Sequence, residues 1–197
     1  MKVETVTLVG NVVRLEPLQL QHAVDLYHAA QDPAIWLYMP YNPSSTLVDM
    51  QAWISTALQA QETRTEVPFA IIDLATGHAV GSTRYLNIAS KDRGLEIGST
   101  WLAREMRRTS VNTECKYLLL RHAFEALGAI RVQLKTDSRN MTSQRAIERL
   151  GTVKEGILRN HMIMPDGYYR HSVYYSVIDS EWSTVKTALE AKMSLAR

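Results

Sequence analysis

The chain has 197 residues, of which 46% are hydrophobic and 21% charged, and its formal net charge is +2. This is the composition of an ordinary globular domain, and it lacks the strong positive charge typical of nucleic-acid-binding domains. The single cysteine, Cys115, excludes an intrachain disulfide and fits a reducing compartment. We find neither a signal-peptide pattern nor an apolar run of membrane-spanning length, so we expect one soluble, cytoplasmic domain over residues 1–197, with no nucleic acid and no membrane as partner.

The first half of the chain predicts antiparallel strands and two helices. The apolar runs between turn residues predict strands at Val6–Val9, Val12–Leu15, Val67–Asp73, His78–Leu86 and Leu95–Trp101. Apolar residues at helical spacing predict a helix over Gln19–Ala30 and a second one from the capping residues Ser44–Thr46 to about Ala60. The aromatic segment Trp36–Tyr41 is predicted as a loop between these helices.

The second half of the chain predicts alternating helices and strands, followed by a long hairpin around Pro165-Asp166-Gly167. The predicted elements are a helix Val111–Leu127, a strand Ile130–Lys135, a helix Thr142–Leu150, strands Val153–Met164 and Tyr168–Ile178, and a helix Glu181–Leu195. This order predicts an α/β fold with a mixed, mostly antiparallel central sheet of about seven strands and helices on both faces.

Two polar helix starts in this half suggest a site for an anionic ligand. The basic turn Arg107–Asn112 leads into one helix, and Asn140–Ser143 caps the next. The first amide N–H groups of a helix have no intrahelical partner, and the helix dipole favours an anion there. Because one strand separates the two starts, they can contact the two ends of one ligand. The pattern indicates an enzyme that holds a long, pyrophosphate-bearing cofactor.

The same segments, taken in order from Val13 to Trp182, resemble the GNAT-type N-acetyltransferases, and among them the RimJ/RimL-like branch of ribosomal-protein N-terminal acetyltransferases. The resemblance is carried by Trp36–Pro40, Gly81–Thr83, Glu96–Gly98, Arg107–Asn112, Asn140–Ser143, Leu150-Gly151, Glu155-Gly156 and the late hairpin. It implies acetyl-CoA as donor, a primary amine as acceptor and direct transfer in a ternary complex.

The resemblance also implies which residues contact the cofactor. They are Ile97, Gly98 and Ser99, the turn residues Arg107, Arg108, Thr109, Ser110, Val111 and Asn112, and the second helix start at Asn140 and Ser143. Ser110 and Asn112 depart from the family, which has glycines there, so the turn is expected to bind CoA less tightly. We expect the strand to bulge near Ile97–Thr100, where a backbone N–H would meet the oxyanion. Asn140 is also a preferred N-cap residue that needs no cofactor.

Two residues are candidates for catalysis. Glu96 lies in an otherwise apolar strand and is the candidate base, with a solvated outward position as the alternative. Ser143 is expected near the sulfur of the cofactor. Many relatives have a tyrosine acid one turn further on, where this chain has Ile147. Cys115 lies on the apolar stripe of its helix and is interpreted as a core residue and not as a nucleophile.

The candidate acceptor-binding residues are aromatic, sulfur-containing or imidazole side chains of the first loop, one strand and the late hairpin: Trp36, Tyr38, Met39, Tyr85, His161 and Tyr168. Simple packing is the alternative for each of them. The six histidines show no metal-binding spacing, and we expect no metal site. The acceptor is expected to be a peptide N-terminus or a small-molecule amine such as an amino acid, with a polyamine or an aminoglycoside as open alternatives, and a homodimer is possible. The alternative function is a CoA-binding module with weak or no catalysis.

Overall fold

The computed structural model describes residues 1–195, and its centre is a single eight-stranded sheet. The strands are β1 (Leu8–Val9), β2 (Val13–Pro17), β3 (Val67–Asp73), β4 (Ala79–Ala89), β5 (Gly94–Leu102), β6 (Arg131–Asp137), β7 (Val153–Ile163) and β8 (Tyr169–Ile178). Their spatial order is β1-β2-β3-β4-β5-β6-β8-β7. All neighbours are antiparallel except β5 and β6, which run parallel. The predicted mixed, mostly antiparallel sheet is confirmed, with one strand more than the expected seven.

All five predicted helices are present, with shifted ends. They are α1 (Ala23–Ala29), α2 (Leu47–Glu62), α3 (Ser110–Arg121), α4 (Met141–Glu148) and α5 (Asp179–Leu195). The side chains of Thr46, Thr109 and Asn140 accept backbone N–H groups as N-caps of α2, α3 and α4. A 3-10 turn precedes α1, and a π-helical turn at His122–Ala126 extends α3. No helix within residues 1–195 is both long and apolar enough to cross a membrane.

The helices pack on both faces of the sheet and form two hydrophobic clusters. One cluster joins α3 and α5 to the sheet and includes Phe69 and Ile71, while the other joins α1 and α2 to it and includes Ala70 and Ile72. Alternate residues of β3 therefore face opposite clusters, as the pleat of a strand requires. Because β3 is buried on both faces, its sequence is an unbroken apolar run.

The two parallel strands separate in the middle of the sheet. β5 and β6 pair only at Gly94 with Arg131, Leu95 with Val132 and Glu96 with Gln133. Beyond Glu96, β5 continues along β4, while β6 continues along β8. A wedge-shaped gap therefore opens between them, and the adjoining edges of both strands carry no sheet partner.

A β-bulge lies at the start of this gap. Arg84 of β4 pairs with Gly98, and Ser82 pairs with Trp101, so Thr83 faces two residues of β5, Ser99 and Thr100. Ser99 has a φ of 48°, in the left-handed region. The expected distortion of this strand is thus present.

Candidate functional site

A cleft with a volume of about 410 Å³, which we call the main cleft, lies at the gap between β5 and β6. Its walls come from the loop between α1 and α2, the separated strands, and the residues that begin α3 and α4. Segments that are far apart in the sequence thus meet at the place where the sheet has lost its pairing. The candidate catalytic residues Glu96 and Ser143 both line this cleft.

Glu96 is a buried carboxylate in the cleft wall, with only 1% of its surface exposed. Its Oε2 accepts hydrogen bonds from Asn87 Nδ2 at 2.8 Å and Gln133 Nε2 at 3.0 Å, and Lys135 Nζ lies 3.1 Å from Oε1. These donors fix the orientation of the carboxylate in the cleft wall, where it can serve as a general base. The alternative of a solvated outward position is wrong, because these neighbours from β4 and β6 cover the carboxylate.

Gly98 leaves room for this carboxylate. A β-carbon on Gly98 would lie 3.0 Å from Glu96 Oε1 and 2.9 Å from Leu86 Cδ1. A larger residue would therefore crowd the oxygen of Glu96 that makes fewer hydrogen bonds. The absence of a side chain keeps this part of the cleft open beside the candidate base.

The start of α4 presents two polar side chains to the same cleft. Asn140 Oδ1 accepts the backbone N–H of Ser143 at 3.0 Å, which is the expected N-cap. The Asn140 amide nitrogen and the Ser143 hydroxyl make no hydrogen bond within residues 1–195, and both residues line the cleft. Asn140 can thus cap the helix and still offer a donor to a ligand. Ile147, which is 7% exposed, also lines the cleft, so this position supplies no phenol as proton donor.

A second, basic groove adjoins the main cleft at the start of α3. It is lined by four exposed cations and by smaller polar residues, among them Arg108, Thr109, Asn112, Arg145, Arg149 and Lys192. Asn112 lines both the groove and the main cleft, so the two are continuous. The sequence indicated the first three of these residues. The cations of α4 and α5 were missed, because only the fold brings those helices beside the turn.

Three residues of the predicted cofactor turn, Arg107, Ser110 and Val111, line neither the main cleft nor the basic groove. Arg107 lines neither cleft nor groove, since its guanidinium pairs with Asp32 at 3.0 Å. The Val111 side chain is buried in the core, and its N–H donates to the capping hydroxyl of Thr109. Ser110 begins α3 and also lines neither cavity. Arg108, with a φ of 62°, is therefore the arginine of the turn that faces the groove.

The prediction that Trp36 and Tyr85 bind the acceptor is wrong, because both are core residues. Trp36 is 6% exposed, donates to the Ala30 carbonyl at 2.9 Å and packs against Trp101 with ring centroids 5.3 Å apart. Tyr85 is fully buried, and its hydroxyl donates to the Leu119 carbonyl at 2.7 Å. Tyr38 and Met39, in contrast, line the cleft.

His161 and Tyr168 are also absent from the cleft wall. The imidazole of His161 lies between the hydroxyls of Ser172 and Tyr174, at 3.0 and 3.1 Å, and borders a separate surface groove. Burial and the positive charges of Lys135 and Arg170 lower the pKa of His161, which favours its neutral form. The ring of Tyr168 lies 3.6 Å from the guanidinium carbon of Arg139. Both side chains lie beside residues of the cleft wall and not in it, and their role in binding the acceptor stays a prediction.

Sequence reasoning also missed three polar residues of the cleft wall, Tyr41, Lys116 and Arg170. The Tyr41 hydroxyl is buried and has no hydrogen-bond partner within residues 1–195. Lys116 is 6% exposed, and its Nζ lies 2.5 Å from Thr100 Oγ1 at the bulge. A lysine beside Cys115 on the buried side of α3 was a signal that could have been found. Tyr41 and Arg170 gave no such signal in the sequence, because their burial depends on long-range contacts.

We predict that Lys116→Met stabilises the protein at pH 7. Burial lowers the pKa of Lys116 from 10.5 to about 8, so the folded state carries a desolvated ammonium below pH 8. Between pH 8 and 10.5 the unfolded chain binds this proton and the folded chain does not, so wild-type stability rises with pH there. The variant should gain about 1–3 kcal/mol at pH 7, a gain that shrinks towards pH 10.

Urea unfolding of wild type and variant at both pH values measures this difference. Lys91→Met, at an exposed lysine, is the matched control and should change stability little. A Lys116→Met variant that is less stable than wild type at pH 7 would contradict the prediction.

The residues that the structure describes contain no group of three or more His, Cys, Asp or Glu side chains that could hold a metal ion. Cys115 is fully buried, and burial raises the pKa of its thiol to about 11. A buried, protonated thiol is a poor nucleophile, so the cleft offers acid–base and hydrogen-bonding chemistry through Glu96 and its neighbours.

Comparisons with known proteins agree on one family for this chain. Residues 13–153 match the family model described as an acetyltransferase (GNAT) domain. YdaF of Bacillus subtilis (strain 168), whose name places it among ribosomal N-acetyltransferases, is 27% identical over 173 residues, 87% of this chain and 92% of that protein. This name agrees with the RimJ/RimL-like branch indicated by the sequence.

Two solved structures share the whole architecture. A GCN5-related N-acetyltransferase from Brucella melitensis is 32% identical with a TM-score of 0.90, over 97% of this chain and 86% of that one. A protein from T. thermophilus, described as an acetyltransferase, is 38% identical with a TM-score of 0.88, over 98% and 99% of the two chains. The similarity therefore extends over the sheet, the cleft and the helices that surround it.

Proposed function

Because the chain belongs to the acetyltransferase (GNAT) family, whose members use acetyl-CoA, we propose that it moves the acetyl group directly to a primary amine in a ternary complex. The observation that carries this proposal is the separation of β5 and β6 immediately after Glu96. It leaves unpaired strand edges beside a buried carboxylate, with a basic groove at one end of the cleft. One extended donor can use all three features.

The residues present fit the parts of acetyl-CoA. The unpaired edge of β5 after Glu96 offers backbone groups to the amides of the pantetheine arm, in the way that an added strand pairs with a sheet edge. The N-terminus of α3 and Arg108 suit the pyrophosphate, because unpaired N–H groups and a cation meet there. Arg145, Arg149 and Lys192 on the groove wall suit the remaining phosphate. Asn140 and Ser143, which also line the main cleft, suit the sulfur end of the donor.

The chemistry that we propose begins at Glu96. An α-amine with a pKa near 8 is partly neutral at neutral pH, so a carboxylate can take its proton directly or through one water. Backbone N–H groups at the bulge, near Ile97–Thr100, would stabilise the oxyanion as the amine attacks. The hydroxyl of Ser143, which lines the cleft, would meet the departing thiolate in place of a phenol, because position 147 is an isoleucine.

The proposed acceptor is a peptide N-terminus or an amino-acid-like amine. It would enter on the side of Tyr38 and Met39, which line the cleft from the loop between α1 and α2. The name of YdaF, a relative among ribosomal N-acetyltransferases, supports a protein N-terminus as one such acceptor. The second candidate function is CoA binding without efficient transfer, which the isoleucine at position 147 favours.

We predict that Arg108→Ala weakens acetyl-CoA binding about tenfold, because it removes a charge-assisted hydrogen bond to phosphate. Arg107→Ala should have a smaller effect, since Arg107 already pairs with Asp32. Isothermal calorimetry with acetyl-CoA and CoA measures both variants. Arg104→Ala, at an exposed arginine that borders neither cavity, is the matched control.

Thiol release with a panel of amines then tests transfer. Micromolar binding with turnover of an amine supports the acetyltransferase. Binding without release of thiol for any amine favours the CoA-binding module. Wild-type protein that binds neither CoA nor acetyl-CoA would overturn both functions.

A further inference from the structure

Arg170, on β8, is a buried cation in the acceptor part of the cleft wall. Arg170 is only 6% exposed, and it lines the main cleft together with Tyr38, Met39 and Glu96. Its Nε donates to Ser172 Oγ at 3.0 Å, and its Nη1 donates to the Tyr38 carbonyl at 3.2 Å. A guanidinium has five N–H donors, and Nη2 makes no hydrogen bond within residues 1–195. Donors of Arg170 are thus available to a molecule in the cleft.

The charges around Arg170 do not balance. Lys135 pairs with Glu96 at 3.1 Å, and Arg139 pairs with Asp137 at 2.8 Å. No carboxylate within residues 1–195 lies within 4.0 Å of the Arg170 guanidinium. Three cations therefore accompany two carboxylates in this region, and of these five groups Lys135, Arg170 and Glu96 line the main cleft. Burial lowers the pKa of Arg170, and the charge of Asp137 opposes this effect, but a guanidinium stays protonated in proteins.

A buried cation without a counter-ion is costly, and an anionic ligand removes the cost. We propose that Arg170 binds a carboxylate of the acceptor, so that the enzyme prefers amines with a carboxylate close to the nitrogen. Glu96 would meet the amine and Arg170 the carboxylate of the same molecule. The planar fork of arginine suits a carboxylate, which it can bind with two parallel hydrogen bonds. This inference rests on the proposed acetyl transfer and names its acceptor class.

A purely structural role for Arg170 predicts different behaviour. The bond to the Tyr38 carbonyl ties β8 to the loop between α1 and α2. If Arg170 only held this loop, its loss would weaken acetylation of charged and uncharged acceptors alike. A role in binding a carboxylate predicts loss for the charged acceptor alone, and mainly in KM.

Matched acceptor pairs distinguish carboxylate binding by Arg170 from a purely structural role. They also distinguish an α-carboxylate from a side-chain carboxylate as the group that is bound. L-Methionine against methioninamide tests a free α-carboxylate, and a tripeptide amide that begins with Asp against one that begins with Asn tests a side-chain carboxylate. We expect wild-type kcat/KM, corrected to the neutral amine, to favour the carboxylate in at least one pair by tenfold or more. Arg170→Gln should abolish this preference, and Arg170→Lys should keep part of it. Arg159→Gln, at an exposed arginine outside the main cleft, should keep all of it.

Product binding keeps this inference distinguishable from the proposed transfer. Calorimetry with the protein–CoA complex compares N-acetylmethionine with its amide, and N-acetyl-Asp with N-acetyl-Asn peptide amides, without any amine to titrate. A preference for the carboxylate that Arg170→Gln removes supports the inference, even if no amine is acetylated and the proposed transfer fails. Equal turnover and equal binding within both pairs, or an equal loss for both members in Arg170→Gln, would overturn it.

Discussion

Replacing Glu96 with glutamine is expected to lower kcat for acetyl transfer by about 100-fold or more, the usual contribution of a general base. The amide has nearly the same shape as the carboxylate, so it can still accept from Asn87 and Gln133, but it cannot take a proton. Affinity for acetyl-CoA should stay within a few-fold of wild type. Glu96→Asp should be intermediate, because it keeps the carboxylate and withdraws it by one methylene.

Thiol-release kinetics from pH 6 to 9, together with calorimetry of acetyl-CoA, measure these effects. Glu62→Gln, at an exposed glutamate near the end of α2, is the matched control and should retain full activity. Thermal unfolding of each variant tests whether an unpaired Lys135 has disturbed the fold. Unchanged kcat/KM for Glu96→Gln across this pH range would remove Glu96 from the mechanism.

Replacing Glu114 with alanine is expected to cost about 3 kcal/mol or more of unfolding free energy, the largest stability effect that we predict. This buried carboxylate on α3 accepts the backbone N–H groups of Asn11 and Val12 at 2.7 Å and of Val13 at 2.9 Å. Alanine would leave three donors at the β1–β2 turn without their acceptor. Gly10 leaves room for this carboxylate, because a β-carbon there would lie 2.5 Å from Glu114 Cδ.

Urea unfolding at pH 7 measures this loss. Glu114→Gln should also be destabilising, because its NH₂ group would face backbone donors where an oxygen now accepts them. Glu105→Ala, at an exposed glutamate just before α3, should change stability by less than about 0.5 kcal/mol. A loss below about 1 kcal/mol for Glu114→Ala would show that water replaces the carboxylate at these N–H groups.

Local signals in the sequence were sufficient for the elements and their order. Periodicity, caps such as Asn140 and turn residues such as Gly167 act within a few residues, so the chain itself displays them. Element ends were less accurate: the π-helical turn at His122–Ala126 interrupts what periodicity predicts as one regular helix.

The placement of the aromatic side chains required the tertiary structure. Trp36 and Tyr38 stand two residues apart, yet the first packs in the core and the second lines the cleft. Periodicity shows that a loop is aromatic but not which ring its neighbours cover. The contacts of Arg107 and Arg170 also required the tertiary structure, because their partners, Asp32 and the Tyr38 carbonyl, lie far away in the sequence.

The bulge in β5 changes the parity of the strand. Along an unbroken strand, residues separated by an odd number of positions point to opposite faces. Across the bulge, Leu95, Ile97 and Leu102 nevertheless join one core cluster, while Trp101 joins the other. One additional residue therefore acts as a phase shift: the strand presents Glu96 to the cleft and still places Trp101 in the hydrophobic cluster of α1 and α2. Shortening the strand by that residue would reverse the faces of everything after it, and no side-chain replacement could restore them.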